Sequence, residues 1–427
     1  MRVVAVISGA TRPRHVRAWP MVLVLLAGCF GGAPQEAPPD ADGGGDLSPH
    51  FAFQEAVFVG PQGDVEASLV VGPDGLVLVC SHGGFWQPSP LWSSTDSGAT
   101  FVRNDPAPNP IVSGDCDMAV TASGRWAMVF DTIASATVAT TTDGGGSWTM
   151  QFAAALPIAV DRPWIAAAGD TLYMTYANVM AAEPAVQMFA RSADGFVWTG
   201  HTPVNVAEPP DKLQAVMGKM IVSDEGRSIH VPLARSNIHT DGPVFLDFAV
   251  STDAGASWAI EPVHGPFEPG LVLPSATWAG ERRYFVVSVP NGSHHDIGFV
   301  WDDGDGWQGP AVAAPDVDLP GVVGPWIDGR PDGSATMAWM GHVEDGWSAF
   351  AVRVNVTADG AMASDVVTLA APTDRGQGIG HEFLMVDHDE GGRAYVAWVM
   401  DTGPACDPAP NPAESRGSQC VYLAVEA

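Results

Sequence analysis

Side chains able to do chemistry recur at two kinds of place in this 427-residue chain. Just ahead of apolar runs stand Asp115 and Asp117, Asp161-Arg162-Pro163-Trp164, Gly324-Pro325-Trp326 and His381-Glu382. Just after a following apolar run stand His82, Asp131, Asn178, Arg235 with Asn237 and His239, His294-His295-Asp296, His342 and Asp401. Carboxyl groups set among a few His and Arg can hold a polyhydroxylated ligand by hydrogen bonds, or work in pairs as proton donor and acceptor. Phe85, Trp86 and Trp347 lie in the same stretches and suit stacking on sugar rings. A plainer reading stays open beside this one. Asp117 and Asp161 can cap turns, Arg162 can serve as a strut between neighbouring units, and His294-His295 can be ordinary exposed loop residues. Asp302-Asp303-Gly304-Asp305 lacks the spaced oxygen ligands of a calcium loop, so no metal is expected. No cofactor is expected either.

The elements that must position these residues are strands. Apolar runs flank Gly-containing turns at Pro73-Asp74-Gly75, Ala122-Ser123-Gly124, Ala168-Gly169-Asp170, Asp224-Glu225-Gly226, Gly280-Glu281-Arg282, Pro331-Asp332-Gly333 and Glu390-Gly391-Gly392. Runs such as Leu76-Val77-Leu78-Val79 and Ala394-Tyr395-Val396-Ala397-Trp398 read as strands buried on both faces. No stretch keeps a helical period, so the fold class is all-β. The turn spacing is that of four-stranded β-propeller blades. Seven turns favour seven blades, with six as the alternative. The last unit lacks a fourth strand, and the apolar segment Phe51 to Val59 is expected to supply it and close the ring.

A second signal is more specific. The pattern Ser/Thr-x-Asp-x-Gly-x-Ser/Thr-Trp/Phe is complete at Ser94–Phe101, Thr141–Trp148 and Ser251–Trp258, with shorter copies at Ser192–Trp198 and Asp302–Trp307. Its Asp can accept backbone N–H groups, its Gly supplies a positive φ, and its aromatic closes over a neighbouring unit. The motif resembles the Asp-box, or BNR repeat, of the sialidase superfamily. The resemblance covers residues 64–427 as repeats. It implies that each box closes the hairpin between the two outer strands of a propeller blade, away from the ligand-binding face. Asp96, Asp143 and Asp253 are therefore expected to be architectural. It also implies that Asp117, Asp131, Asp161, Arg162, Arg235, His295 and Glu382 line the mouth of the central channel.

The family's catalytic residues do not transfer. Sialidases hold the substrate carboxylate with three arginines, the first of them upstream of the first Asp-box. This chain has no Arg or Lys between Cys29 and Phe101. Tyr173, Tyr284 and Tyr395 lie inside apolar runs, and Tyr176, at a strand end, has no Glu with a motif-level claim to partner it. The expected function is binding of a glycan or protein ligand without catalysis. A glycoside hydrolase is the alternative, and a structural part of an envelope assembly the next.

Residues 1–28 read as a bacterial lipoprotein signal: Arg12, Arg14 and Arg17 precede the apolar Met21–Leu26, and Leu26-Ala27-Gly28-Cys29 matches a lipobox. Lipidated Cys29, a Gly- and Pro-rich tether to residue 50 and a propeller over 51–427 make up the expected chain, exported and anchored at the outer membrane or cell surface as a monomer. Acids outnumber bases 49 to 19, which argues against nucleic acid or an anionic membrane surface as partners. In an oxidising compartment Cys406 and Cys420, bracketing a Pro-rich loop, are expected to pair, leaving Cys80 and Cys116 to pair by elimination.

Overall fold

The computed structural model describes residues 51–61, 65–82, 89–106, 114–132, 135–153, 160–178, 186–204, 214–236, 244–267, 274–291, 294–315, 322–344, 346–370, 384–401 and 419–427. They form seven antiparallel sheets arranged as a seven-bladed propeller. The inner strands, in blade order, are Val65–Val71, Cys116–Val120, Val160–Ala168, Gln214–Met217 continued by Ile221–Val222, Ala276–Ala279, Val322–Gly329 and Met385–His388. Each pairs with the next strand in sequence, and the order runs outward blade by blade.

Burial follows that order. The third strand of blade 2, Ser135–Thr141, is buried at every residue, because neighbouring blades cover both of its faces. The outermost strand of the same blade, Thr149–Phe152, is largely exposed. Closure is as expected in kind, but the strand starts six residues later than the expected Phe51 and ends two residues past Val59. Val57–Pro61 pairs with the strand Gln419–Val425 as the fourth strand of blade 7, and Phe53 bridges to Glu426. Cys80 and Cys116 form a disulfide between blades 1 and 2. Cys420 is disulfide-bonded too, while Cys406 lies outside the described residues.

Three turns between third and fourth strands share one hydrogen-bond scheme. In Ser251–Trp258, Asp253 Oδ1 accepts the N–H of Ser257 at 2.8 Å, Asp253 Oδ2 accepts the Ser257 hydroxyl at 2.6 Å, and Ser251 Oγ accepts the N–H of Gly255 at 2.8 Å. Asp96 and Asp143 make the corresponding bonds to Thr100 and Ser147. These neighbouring hydroxyls are the main reason all three carboxyls are held down at about 2. Gly255 is needed twice over. Its φ is 86°, and a Cβ there would lie 2.0 Å from Phe189 of blade 3. Trp258 packs edge-on against Phe189 at 5.2 Å, so the turn of one blade docks onto the blade before it.

Inner strands leave one hydrogen-bonding edge toward the channel, and side chains of adjacent blades satisfy part of it. Asp117 Oδ2 accepts the N–H of Ile165 at 2.9 Å, Asp387 Oδ2 that of Val71 at 2.7 Å, and Ser275 Oγ that of Ile327 at 3.0 Å.

Candidate functional site

The channel mouth is shaped by bulges on three inner strands. Pairing slips between Val65 and Ala67, between Asp161 and Trp164, and between Val323 and Trp326. The bulge residues Glu66, Arg162 and Gly324 have φ of 58°, 49° and 39°. Glycine takes this left-handed region without penalty, whereas a residue with a Cβ pays about 1–2 kcal/mol. Glu66 and Arg162 are held there regardless, and bulges of this kind re-aim side chains at sheet ends. Both line a small pocket at the mouth, with Asp115, Pro163, Trp164 and Met385.

Beside Arg162 the strands of blades 2 and 3 bring three carboxyls together. Asp131, near the end of the second strand Trp126–Thr132, donates its backbone N–H to the carbonyl of Asp115 at 3.1 Å and accepts the N–H of Gly114 at 3.1 Å. A Cβ on Gly114 would lie 2.4 Å from Asp131 Oδ1, so glycine makes room for the carboxyl. Burial, then the charges of Asp115 and Asp161, push Asp131 up to about 8. Asp131 thus carries a proton at neutral pH and can donate a hydrogen bond where its neighbours accept. Asp131 Oδ1 is buried with no hydrogen-bond partner.

Asp117 lies on the inner strand Cys116–Val120 of blade 2. It is fully buried, accepts the Ser68 hydroxyl at 2.6 Å and pairs with Lys219 Nζ at 2.9 Å. Behind the bulges, Trp164 and Trp326 of blades 3 and 6 meet across the ring with centroids 5.5 Å apart, and Trp164 Nε1 donates to the carbonyl of Met217 at 3.2 Å. Arg235, near the end of the second strand Ile229–Ser236 of blade 4, makes a short ion pair with buried Asp247 of the same blade. Only the backbone of His295, paired with Pro290, falls among the described residues, and Glu382 lies outside them. Tyr176 is enclosed in blade 3, its hydroxyl 3.1 Å from His201 Nδ1, and burial pushes it up to about 12.

The structure also adds groups that the sequence did not single out. Glu66 carries no flanking Pro-Trp of the kind that marks Arg162 and Gly324. Lys219 is one of only two lysines in an acidic chain, which is a usable signal. Asp328 and Asp387 sit at the far ends of their inner strands and face an axial cavity of about 410 Å³, which Lys219 and Trp326 also line. Among the described residues no three His, Cys, Asp or Glu come together as metal ligands, and no helix is long and apolar enough to cross a membrane. Asp302 is occupied by the N–H groups of Gly304 and Gly306 and by Arg283.

No protein-family model matches the sequence, and no curated protein matches it. Solved structures do. An ulvan lyase of polysaccharide lyase family 25, bound to a GlcA–Rha3S saccharide, is 10% identical over 88% of this chain and 95% of its own, with a TM-score of 0.53. A Dyadobacter fermentans protein of unknown function is 14% identical over 88% and 99%, with a TM-score of 0.52. The phage phi92 endosialidase is 10% identical over 88% of this chain and 68% of its own, at 0.49. The likeness at this identity is one of fold.

Proposed function

We propose that this propeller is lipid-anchored at the cell envelope through Cys29 and binds a glycan at its channel mouth without hydrolysing it. One observation carries the reading: Asp115, Asp131 and Asp161 converge beside Arg162, and burial together with the two neighbouring carboxyls raises Asp131 to about 8. Such a group offers acceptors and a donor to sugar hydroxyls, and its negative charge disfavours uronic or sialic acids. Neutral glycans are the fitting class. The ulvan lyase, similar in fold, is seen with a saccharide bound; that saccharide is acidic, so it supports a carbohydrate ligand and not the neutral class. A non-catalytic role is favoured by the stretch from Cys29 to Phe101 without a cation and by the enclosure of Tyr176.

A glycan array probed with the soluble fragment from about residue 50 tests this. Neutral glycans should bind, and Asp161→Asn should weaken them; failure of every glycan to bind overturns the reading. A fluorogenic sialoside should show no turnover above background. Cys29→Ala should release the full chain from membranes and abolish fatty-acid labelling, and retention with labelling sinks the anchor. The second reading, a hydrolase of neutral sugars, is favoured by the same Asp131, because one protonated and one ionised carboxyl is the pairing that glycoside hydrolysis uses. Release of reducing sugar that Asp131→Asn abolishes would establish it instead.

A further inference from the structure

The inner strand of blade 4 is broken, and the break falls where its partner carries a proline. Gln214–Met217 and Ile221–Val222 pair with the two halves of the second strand Ile229–Ser236, and Gly218 to Met220 lie between them. Gly218 donates its N–H to the carbonyl of Pro232 at 2.9 Å, but Pro232 has no N–H to return, so the ladder stops there. Glycine is required at this step, because a Cβ on Gly218 would lie 1.9 Å from the carbonyl oxygen of Pro274, just ahead of the inner strand of blade 5. The next residue is Lys219. Its Nζ reaches past blade 3 to blade 2, where it meets Asp117 Oδ1 at 2.9 Å and the carbonyl of Met118 at 3.4 Å.

That ion pair closes a circuit of contacts around one bulge. Pairing in blade 3 stops at Asp161 and resumes at Trp164, with Arg162 between them at φ 49°. The first two residues after the bulge are each tied to another blade. Trp164 Nε1 donates to the carbonyl of Met217 at 3.2 Å, and the N–H of Ile165 donates to Asp117 Oδ2 at 2.9 Å. Met217 and Asp117 are in turn joined through Lys219, which lies two residues from the one and is paired with the other. A left-handed residue with a Cβ persists only where its surroundings over-determine it, and this circuit supplies that constraint. Lys219 is not among the residues lining the small pocket at the mouth, so its effect there is indirect. We propose that Lys219 is a positioning residue: through Asp117 and Ile165 it holds the bulge that aims Arg162, and thereby sets affinity at the mouth. The consequence for affinity rests on the reading that the mouth binds a glycan. A buried ion pair is by itself weak evidence for stability, and what this one adds is a fixed geometry at the bulge.

Amide hydrogen exchange read by mass spectrometry on the purified full chain, with glycan titration on the same preparations, tests this. Lys219→Met should speed exchange over residues 160–168 by about tenfold, well beyond any change in the inner strands of blades 5 to 7. The same variant should bind glycan about tenfold more weakly. Lys219→Arg, which keeps the charge beside Asp117, should hold both readings near those of the unmodified chain. Unchanged exchange over 160–168 overturns the proposal, as does a rise shared equally by all seven inner strands, which is what a merely structural pair gives. Local loosening with unchanged glycan affinity overturns it too. Should Lys219→Met fail to fold, the double variant Lys219→Met with Asp117→Asn leaves no unmatched charge and is read in the same way. If the unmodified chain binds no glycan, the proposed function falls, and the exchange pattern alone decides whether Lys219 holds the bulge.

Discussion

Arg353 of blade 6 and Glu426, one residue from the C-terminus, form a buried ion pair with Nη2 2.6 Å from Oε2. The same Oε2 accepts the backbone N–H of Ala394 at 2.9 Å, and the ring of Phe51 lies 4.6 Å from the guanidinium carbon. The two ends of the described domain and two blades thus meet at one charge pair, beside the strand Val57–Pro61 that closes the ring. Removing one partner leaves the other charge buried and unmatched, which costs about 3–5 kcal/mol in comparable sites. Glu426→Ala should therefore lower the denaturant midpoint steeply, while Glu426→Gln should cost less because the amide oxygen still accepts. Equal midpoints for Glu426→Ala and the unmodified domain would show that the pair does not hold the closure.

Gly255 tests the docking of one blade's turn on the blade before it. With φ at 86° and Phe189 2.0 Å from where a Cβ would stand, Gly255→Ala must shift Phe189 or the turn. The conformational term alone is about 1–2 kcal/mol. Gly304, at 103°, has no heavy atom near its Cβ position, so Gly304→Ala carries the strain without the overlap. Thermal melts should place Gly255→Ala clearly below Gly304→Ala. The reverse order would mean that the overlap with Phe189 is not a constraint.

The acid groups give stability a two-sided dependence on pH. Asp96, Asp143 and Asp253, held at about 2, contribute stability that is present above about 4 and lost as pH falls toward 2. Asp131 acts in the opposite sense. Its carboxyl is raised from 3.8 to about 8, so the folded state keeps a proton that the unfolded chain releases. Its contribution is present below about 4 and is lost as pH rises from there through about 8. Urea midpoints measured from pH 4 to 9 should decline toward the alkaline side, and Asp131→Asn should flatten that decline. An unchanged slope in the variant would remove Asp131 as its source.

What could be read from the sequence was local. Asp253, Gly255 and Ser257 lie within five residues and close on one another, so their pattern announces their geometry. Blade count followed from turns of the same kind, each short and Gly-marked. The closing strand was found by what remained unassigned, and its bounds were missed because Phe51–Phe53 is as apolar as Val57–Val59. Contacts across the ring left no such trace. Lys219 and Asp117 are 102 residues apart, and nothing local to either says that they meet. Tyr176 sits at a strand end and is still enclosed, because alternation turns its side chain into blade 3. Arg162 and Gly324 shared a visible Pro-Trp sequel, yet the left-handed backbone that both adopt shows only in the structure.

That shared backbone gives a direct way to separate a ligand-holding role for Arg162 from a structural one. Gly324 occupies the equivalent bulge in blade 6 at φ 39°, which shows that this backbone path is one glycine follows without a side chain. Arg162 at 49° follows it at a cost of about 1–2 kcal/mol. Arg162→Gly removes that cost along with the guanidinium, whereas Arg162→Ala removes the guanidinium and keeps the cost. If Arg162 is there to face the ligand, Arg162→Gly should melt at or above the unmodified domain and above Arg162→Ala, and both should lose glycan binding. If it is a strut between blades, both variants should melt lower, and binding by the fraction still folded should persist. Melting curves paired with glycan binding on the same preparations distinguish the two, and a destabilised Arg162→Gly that still binds would remove Arg162 from the site.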